Sequence, residues 1–310
     1  MHQFENAGNH LTARRPAAAV VVVAACAALL VGCADGATGI PAASGSAGPC
    51  GAPSPSSSSS RDAQASPGPA QGGVRITAAS AACAEYEVTN PEDETSDVTA
   101  VFSRLSAAGG ALDNVTQVVT SLAPGATAKG RIELDGHGQA RPGAGPLVKI
   151  VQVRSVPSAE ASRPGGPCPA SGLRLYADDG DAAMGLRAVG LHLRNCGTSA
   201  VSVNGYPKLQ LLDVGHRPVD GVRFLSGGAG IAGGTGADDP PQEIVLRPGE
   251  GARSTLVWRN TVEAGSPVNA PYVRVRATPD AAPVMVVPEI DLGTTGRLGV
   301  GAWTREDSRP

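Results

Sequence analysis

The sequence predicts an all-β protein, built as two tandem antiparallel β-sandwiches that follow an export segment and a structureless tether. Short apolar runs alternate with polar residues at a period of two from Val74 to Val287, and turn-forming clusters separate them. No convincing helical pattern interrupts this alternation. Gly and Pro number 41 and 26 in 310 residues, while charged residues make up only 17%, which describes a loop-rich chain. The length still leaves enough residues to bury two modest cores.

Arg14 and Arg15 precede an apolar run that ends at Leu30-Val31-Gly32-Cys33. A basic start, a short apolar stretch and a small residue at its end are the parts of a cleavable export signal. The run is shorter than the roughly 20 residues a spanning helix needs, so a permanent transmembrane segment is the weaker reading. Leu30-Val31-Gly32-Cys33 resembles a bacterial lipobox, which implies a diacylglyceryl anchor on the Cys33 thiol and cleavage after Gly32. Leu30 supplies the branched apolar side chain, Gly32 leaves the bond accessible, and two acyl chains hold where one would not. Two readings compete: an ordinary secretory signal with an incidental cysteine, and twin-arginine export, although Pro16 and Ala17 follow Arg14-Arg15 where apolar bulk is expected. Residues 1–32 are therefore expected to be removed, leaving the protein on the outer face of the cell membrane.

Residues 33–72 are mainly Ala, Gly, Ser and Pro with an unbroken run from Ser56 to Ser60. Such a segment buries no apolar surface and predicts a disordered tether, spanning about 35 Å at random-coil dimensions. Six cysteines are present; the signal takes Cys26 and the lipid takes Cys33. The four left in an exported chain predict disulfides, with three connectivities open. Sequence proximity favours Cys50 with Cys83 and Cys168 with Cys196. Zinc is disfavoured because no Cys-x-x-Cys spacing exists and no histidine lies near any of the four.

In residues 73–157 strands are expected at Val74-Ile76, Tyr86-Val88, Val98-Leu105, Val115-Val119, Ala128-Leu134 and Leu147-Val153, a first small sandwich. Residues 158–167 are rich in Pro, Gly and Ser and predict a linker. Residues 168–304 resume the alternation in nine runs between Leu173 and Val287, and residues 305–310 predict a frayed tail. The halves echo each other. Tyr86 to Asn90 parallels Leu191 to Asn195, and Leu122-Ala123-Pro124-Gly125 parallels Leu246-Arg247-Pro248-Gly249. Proline presets φ and glycine tolerates φ > 0, as a type II turn requires, so the echo predicts two related Ig-like sandwiches.

The second half also carries Cys168-Pro169, Ala183-Met184-Gly185-Leu186-Arg187, Arg194-Asn195-Cys196-Gly197, Gly205-Tyr206-Pro207, Trp258-Arg259-Asn260-Thr261 and Asp291-Leu292-Gly293-Thr294-Thr295-Gly296. In this order and spacing it resembles the domain-of-unknown-function 4232 family of exported proteins from high-GC Gram-positive bacteria. The resemblance implies an all-β, Ig-like domain, commonly on lipoproteins, with no assigned activity. No cysteine follows Cys196, so a second bridge in this domain has no partner here.

Chemistry is harder to find. Gly228-Ala229-Gly230-Ile231-Ala232-Gly233 has the glycine spacing of a dinucleotide site, but the Gly, Asp and Pro residues that follow forbid the helix such a site needs, and a flexible loop is expected. No nucleophile elbow, phosphate-loop lysine or zinc-protease helix is present. The acidic stretch Glu92-Asp93-Glu94 with Asp97 reads as a solvated turn rather than a calcium loop, Asp178-Asp179-Gly180-Asp181 as a hairpin turn rather than a cation site, and His137, His192 and His216 as surface histidines. Tyr206, Trp258 and Trp303 are the candidate binding aromatics, of which Trp303 is expected exposed and the other two structural. A net charge of −3 makes nucleic acid an unnatural partner. The expectation is a lipid-anchored envelope protein, not an enzyme and without cofactor or metal, that displays sandwiches to bind an envelope protein or glycan. An exported hydrolase with acids converging only in the fold is the alternative, and a ligand-free envelope spacer is the third reading.

Overall fold

The computed structural model describes residues 70–79, 83–106, 108–134 and 148–306. Leu30 to Cys33, Cys50 and His137 lie outside the described residues. Every regular element among those described is a β-strand, so the all-β expectation holds.

The first half contains β1 (Ala70–Gln71), β2 (Val74–Ala79), β3 (Cys83–Thr89), β4 (Ser96–Leu105), β5 (Ala111–Leu122), β6 (Thr127–Glu133) and β7 (Val148–Pro157). They form two antiparallel sheets, β1-β2-β3-β6 and β5-β4-β7. The period-two pattern is the reason: Val74, Ile76, Tyr86, Val88, Val98, Ala100 and Phe102 all turn to one core. Tyr86 lies over Gly130, its register partner on β6, where an added Cβ would sit 2.2 Å from the ring. Its hydroxyl donates to Gln117 Oε1 across the core at 3.1 Å.

The second half continues with β8 (Leu173–Ala177), β9 (Asp181–Ala183), β10 (Leu186–Asn195), β11 (Val201–Asn204), β12 (Lys208–Leu212), β13 (Arg223–Ser226), β14 (Glu243–Leu246), β15 (Gly251–Arg259), β16 (Asn269–Ala270), β17 (Tyr272–Arg276), β18 (Val284–Val286), β19 (Ile290–Asp291), β20 (Arg297–Val300) and β21 (Thr304–Arg305). The largest sheet runs β13-β20-β15-β10-β8, with β9 added to β10 and β21 to β15. Leu191, Leu193, Leu256, Trp258, Leu298 and Trp303 share its core with Val203, Leu246, Val273 and Val275 from the smaller sheets β11-β14 and β12-β17-β18.

The echo between the halves is a hydrogen-bonded corner. Asn90 is fully buried and its amide donates to the carbonyls of Glu94 and Leu122, both at 2.8 Å, while its Oδ1 accepts from Glu92 N at 2.9 Å. Asn195, equally buried, donates to Ser199 and Leu246, both at 2.8 Å, and accepts from Gly197 N at 3.0 Å. The Pro-Gly turns close on the same residues, with Gly125 N donating to the Asn90 carbonyl and Gly249 N to that of Asn195. Both glycines have positive φ, 67° and 87°.

Contacts also join the halves across residues 158–167. Val156 packs with Leu212, Tyr272 and Met285 in a cluster of its own. Ser155 N donates to the Tyr272 hydroxyl, and Glu160 binds Arg274 at 2.7 Å. Asp97 on β4 takes Ser158 Oγ, Ser121 N and Arg163 Nη2. Burial would raise the Asp97 pKa, but these donors outweigh it and hold the carboxyl below its ordinary value.

Candidate functional site

Cys168 and Cys196 form the expected disulfide, with their Cα atoms 5.7 Å apart. Cys83 is also disulfide-bonded. Its expected partner, Cys50, is outside the described residues.

Trp303 corrects the sequence reading. Expected exposed, it is 0% accessible, and its indole N–H donates to the Ala277 carbonyl at 3.0 Å. The cause is β21: Thr304 and Arg305 pair with β15, and Glu306 N donates to Gly251 O, so the chain end is held as a sheet strand and Trp303 turns inward. The fraying expected from residue 305 therefore does not begin before Glu306. Tyr206 is half-buried against the same core and Trp258 is 2% accessible.

The histidines are tied into local bonds. His192 stacks on Tyr176 and lies between Asp178 Oδ2 at 3.0 Å and Glu306 Oε1 at 2.9 Å, clamping the C-terminal strand. His216 meets the Tyr272 ring edge-on and its Nε2 is 2.8 Å from the Ser155 carbonyl. The glycine loop closes on itself, since Gly228 N and Ala229 N both donate to Asp238 Oδ1 at 2.7 Å. Its anion-binding N–H groups are thereby already occupied by a carboxylate of the same chain. No cluster of three or more His, Cys, Asp or Glu side chains among the described residues is placed to hold a metal ion.

What the sequence reading missed is a polar cavity of about 370 Å³ at the end of β10 and β15. Arg187 and Trp258 are register partners there, with Val189 behind them. Asn260 satisfies its neighbours with its amide nitrogen toward the Gly185 carbonyl and its oxygen toward Arg187 Nη2, each 3.2 Å. Residues 179–182 form one rim; Glu289 and Asp291 form the other. Glu289, at φ 53°, accepts from Arg154 Nε and Nη2, both at 2.6 Å, so the first half reaches the rim. That hydrogen bond, against the effect of burial, raises the Arg154 pKa above its ordinary value.

The cavity lies beside an exposed apolar tip. Met184 and Gly185 both have positive φ, 44° and 79°, the geometry of a two-residue hairpin turn, and Met184 is 98% accessible. Within the core, Trp258 Nε1 has no acceptor among the described residues. A larger cavity of about 470 Å³ lies under residues 159–175, but its walls are mainly Ala, Pro, Leu and Val.

Residues 168–304 match the family model of a domain of unknown function, DUF4232. No curated protein matches the chain. Three of the segments that carry the resemblance, residues 183–187, 258–261 and 291–296, meet at the polar cavity.

Proposed function

From a family match that carries no activity, we propose that the protein is a lipid-anchored display protein of the cell envelope, acting by non-catalytic binding at the polar cavity of its second Ig-like sandwich. The observation that carries the reading is the mixed lining: a guanidinium, a side-chain amide and carboxylates face one small cavity, a set that suits a polar ligand bearing both donors and acceptors. The hydrolase alternative needs a carboxylate whose burial keeps it protonated near neutral pH. Asp179, Asp181 and Glu289 are exposed and Asp291 half-buried, which favours binding over acid catalysis.

A photocrosslinking residue placed at Met184 in intact cells is expected to yield one discrete, saturable adduct, and Arg187→Ala is expected to abolish it. The same probe at exposed Val214 serves as the background. Identical adduct patterns from both positions, or none at Met184, would return the weight to the spacer reading. The anchor has its own test. Cys33→Ala should shift the protein from the membrane fraction to the soluble or unprocessed pool; mature, acylated protein persisting in the membrane would defeat the lipobox assignment.

A further inference from the structure

The strand edges of the protein are protected unequally. A free edge offers unpaired N–H and C=O groups to any other strand, and native proteins blunt such edges by shortness, charge, proline or cover. Among the described residues β1 is two residues long, β13 four and β8 five. Edge strand β6 carries Lys129, Arg131 and Glu133, and β7 carries Lys149 and Arg154 and packs Val156 against the second half.

Among the described residues β5 is the least protected of these edges. It is twelve residues long and, among the described residues, pairs with β4 alone. Asp113 is its one charge, already bonded to Arg104 on β4, and it holds no Pro, Gly or Lys. Val115 and Val119 face the core, and Gln117 accepts from Tyr86. The alternate positions therefore face outward, with Leu112 and Val118 68% and 58% accessible. At the far end Ser121, at φ 56° and bonded to Asp97, turns the strand off its line. The open edge is residues 112–120.

We propose that β5 is a homodimerisation edge, pairing antiparallel with β5 of a second copy about a two-fold axis near Gln117 and joining the two β5-β4-β7 sheets into one of six strands. A second copy fits because a two-fold interface needs a single self-complementary strand. In this register Thr116 stands opposite Val118 of the second copy, a β-branched cross-strand pair, and Asn114 stands opposite its Thr120, a polar pair without charge. Asp113 falls just beyond the paired stretch, so no like charges meet; a parallel in-register pairing would set the two Asp113 carboxylates side by side. The inference is independent of the ligand reading above.

The test is sedimentation of the full chain in a mild non-ionic detergent, from micromolar to submillimolar concentration, with hydrogen exchange on the same samples. The expected result is a concentration-dependent dimer in which the outward-pointing amides within residues 114–120, those not already bonded to β4, gain protection. The outward-facing double change Thr116→Lys with Val118→Lys should return the species to monomer, with its thermal midpoint unchanged at the lowest concentration where dimerisation adds no stability, and Val245→Lys, exposed on β14, should not abolish the dimer. A chain that stays monomeric throughout would overturn the proposal, as would a dimer without added protection in β5. So would β5 amides protected equally at every concentration, because the edge would then be filled within one chain.

Discussion

Replacing Gly293 by alanine should destabilise the second half by about 2–5 kcal/mol, combining left-handed strain with forced overpacking. Gly293 sits at φ 51°, and an added Cβ would lie 2.1 Å from the Thr261 carbonyl oxygen and 2.8 Å from the Asn260 carbonyl carbon. These are backbone atoms, so no side chain can rotate away. They are also fixed by the loop: Gly293 N donates to Asp291 Oδ1, Thr294 N to Thr261 O, and Val268 N to Gly293 O. Gly249 is the control. It too has positive φ, but nothing lies within 4 Å of its added Cβ, so Gly249→Ala should cost only about 1–2 kcal/mol. Both tryptophans of the chain, Trp258 and Trp303, lie in the second core, so their fluorescence during denaturant unfolding reports that half selectively. Equal midpoints for the two variants would refute the close approach.

Strand positions were largely legible because alternation is local: each residue's neighbour two places along shares its face. The strands that escaped were short or glycine-bearing. β20 contains Gly299, whose added Cβ would lie 2.7 Å from the Gly227 carbonyl, so the absent side chain that hides the strand from a hydropathy reading also lets β13 approach. Trp303 reads as exposed for a different reason: its burial depends on β21 pairing with β15, far away in sequence. The cavity was illegible because Arg187, Trp258 and Asp291 come from distant segments, and Arg154 reaches Glu289 across 135 residues. Turn chemistry explains the remaining motifs. In Asp291-Leu292-Gly293-Thr294-Thr295-Gly296 the Thr295 hydroxyl bonds the Leu292 carbonyl and Asp291 caps Gly293, a loop closed by its own side chains.

The matched asparagines carry the second large expectation, which reaches both halves. Asn90→Ala and Asn195→Ala should each cost about 3 kcal/mol, because each removes three hydrogen bonds and takes the amide donor from one buried carbonyl, that of Leu122 or Leu246. Asp in place of Asn would keep the acceptor for Glu92 N or Gly197 N but turn an oxygen toward two carbonyls, and should do no better. The bond lengths agree between the two corners within about 0.1 Å for the side chains, so the two costs should agree within about 1 kcal/mol, the ordinary scatter of such measurements. Hydrogen exchange separates them: Asn90→Ala should lower protection first in β3 and β6, and Asn195→Ala in β10 and β15, the strands that each corner joins. A costly Asn195→Ala beside a neutral Asn90→Ala would reduce the echo to convergent turn chemistry. Equal costs, each confined to its own half, would mean that the first half closes by the same physical device as the second.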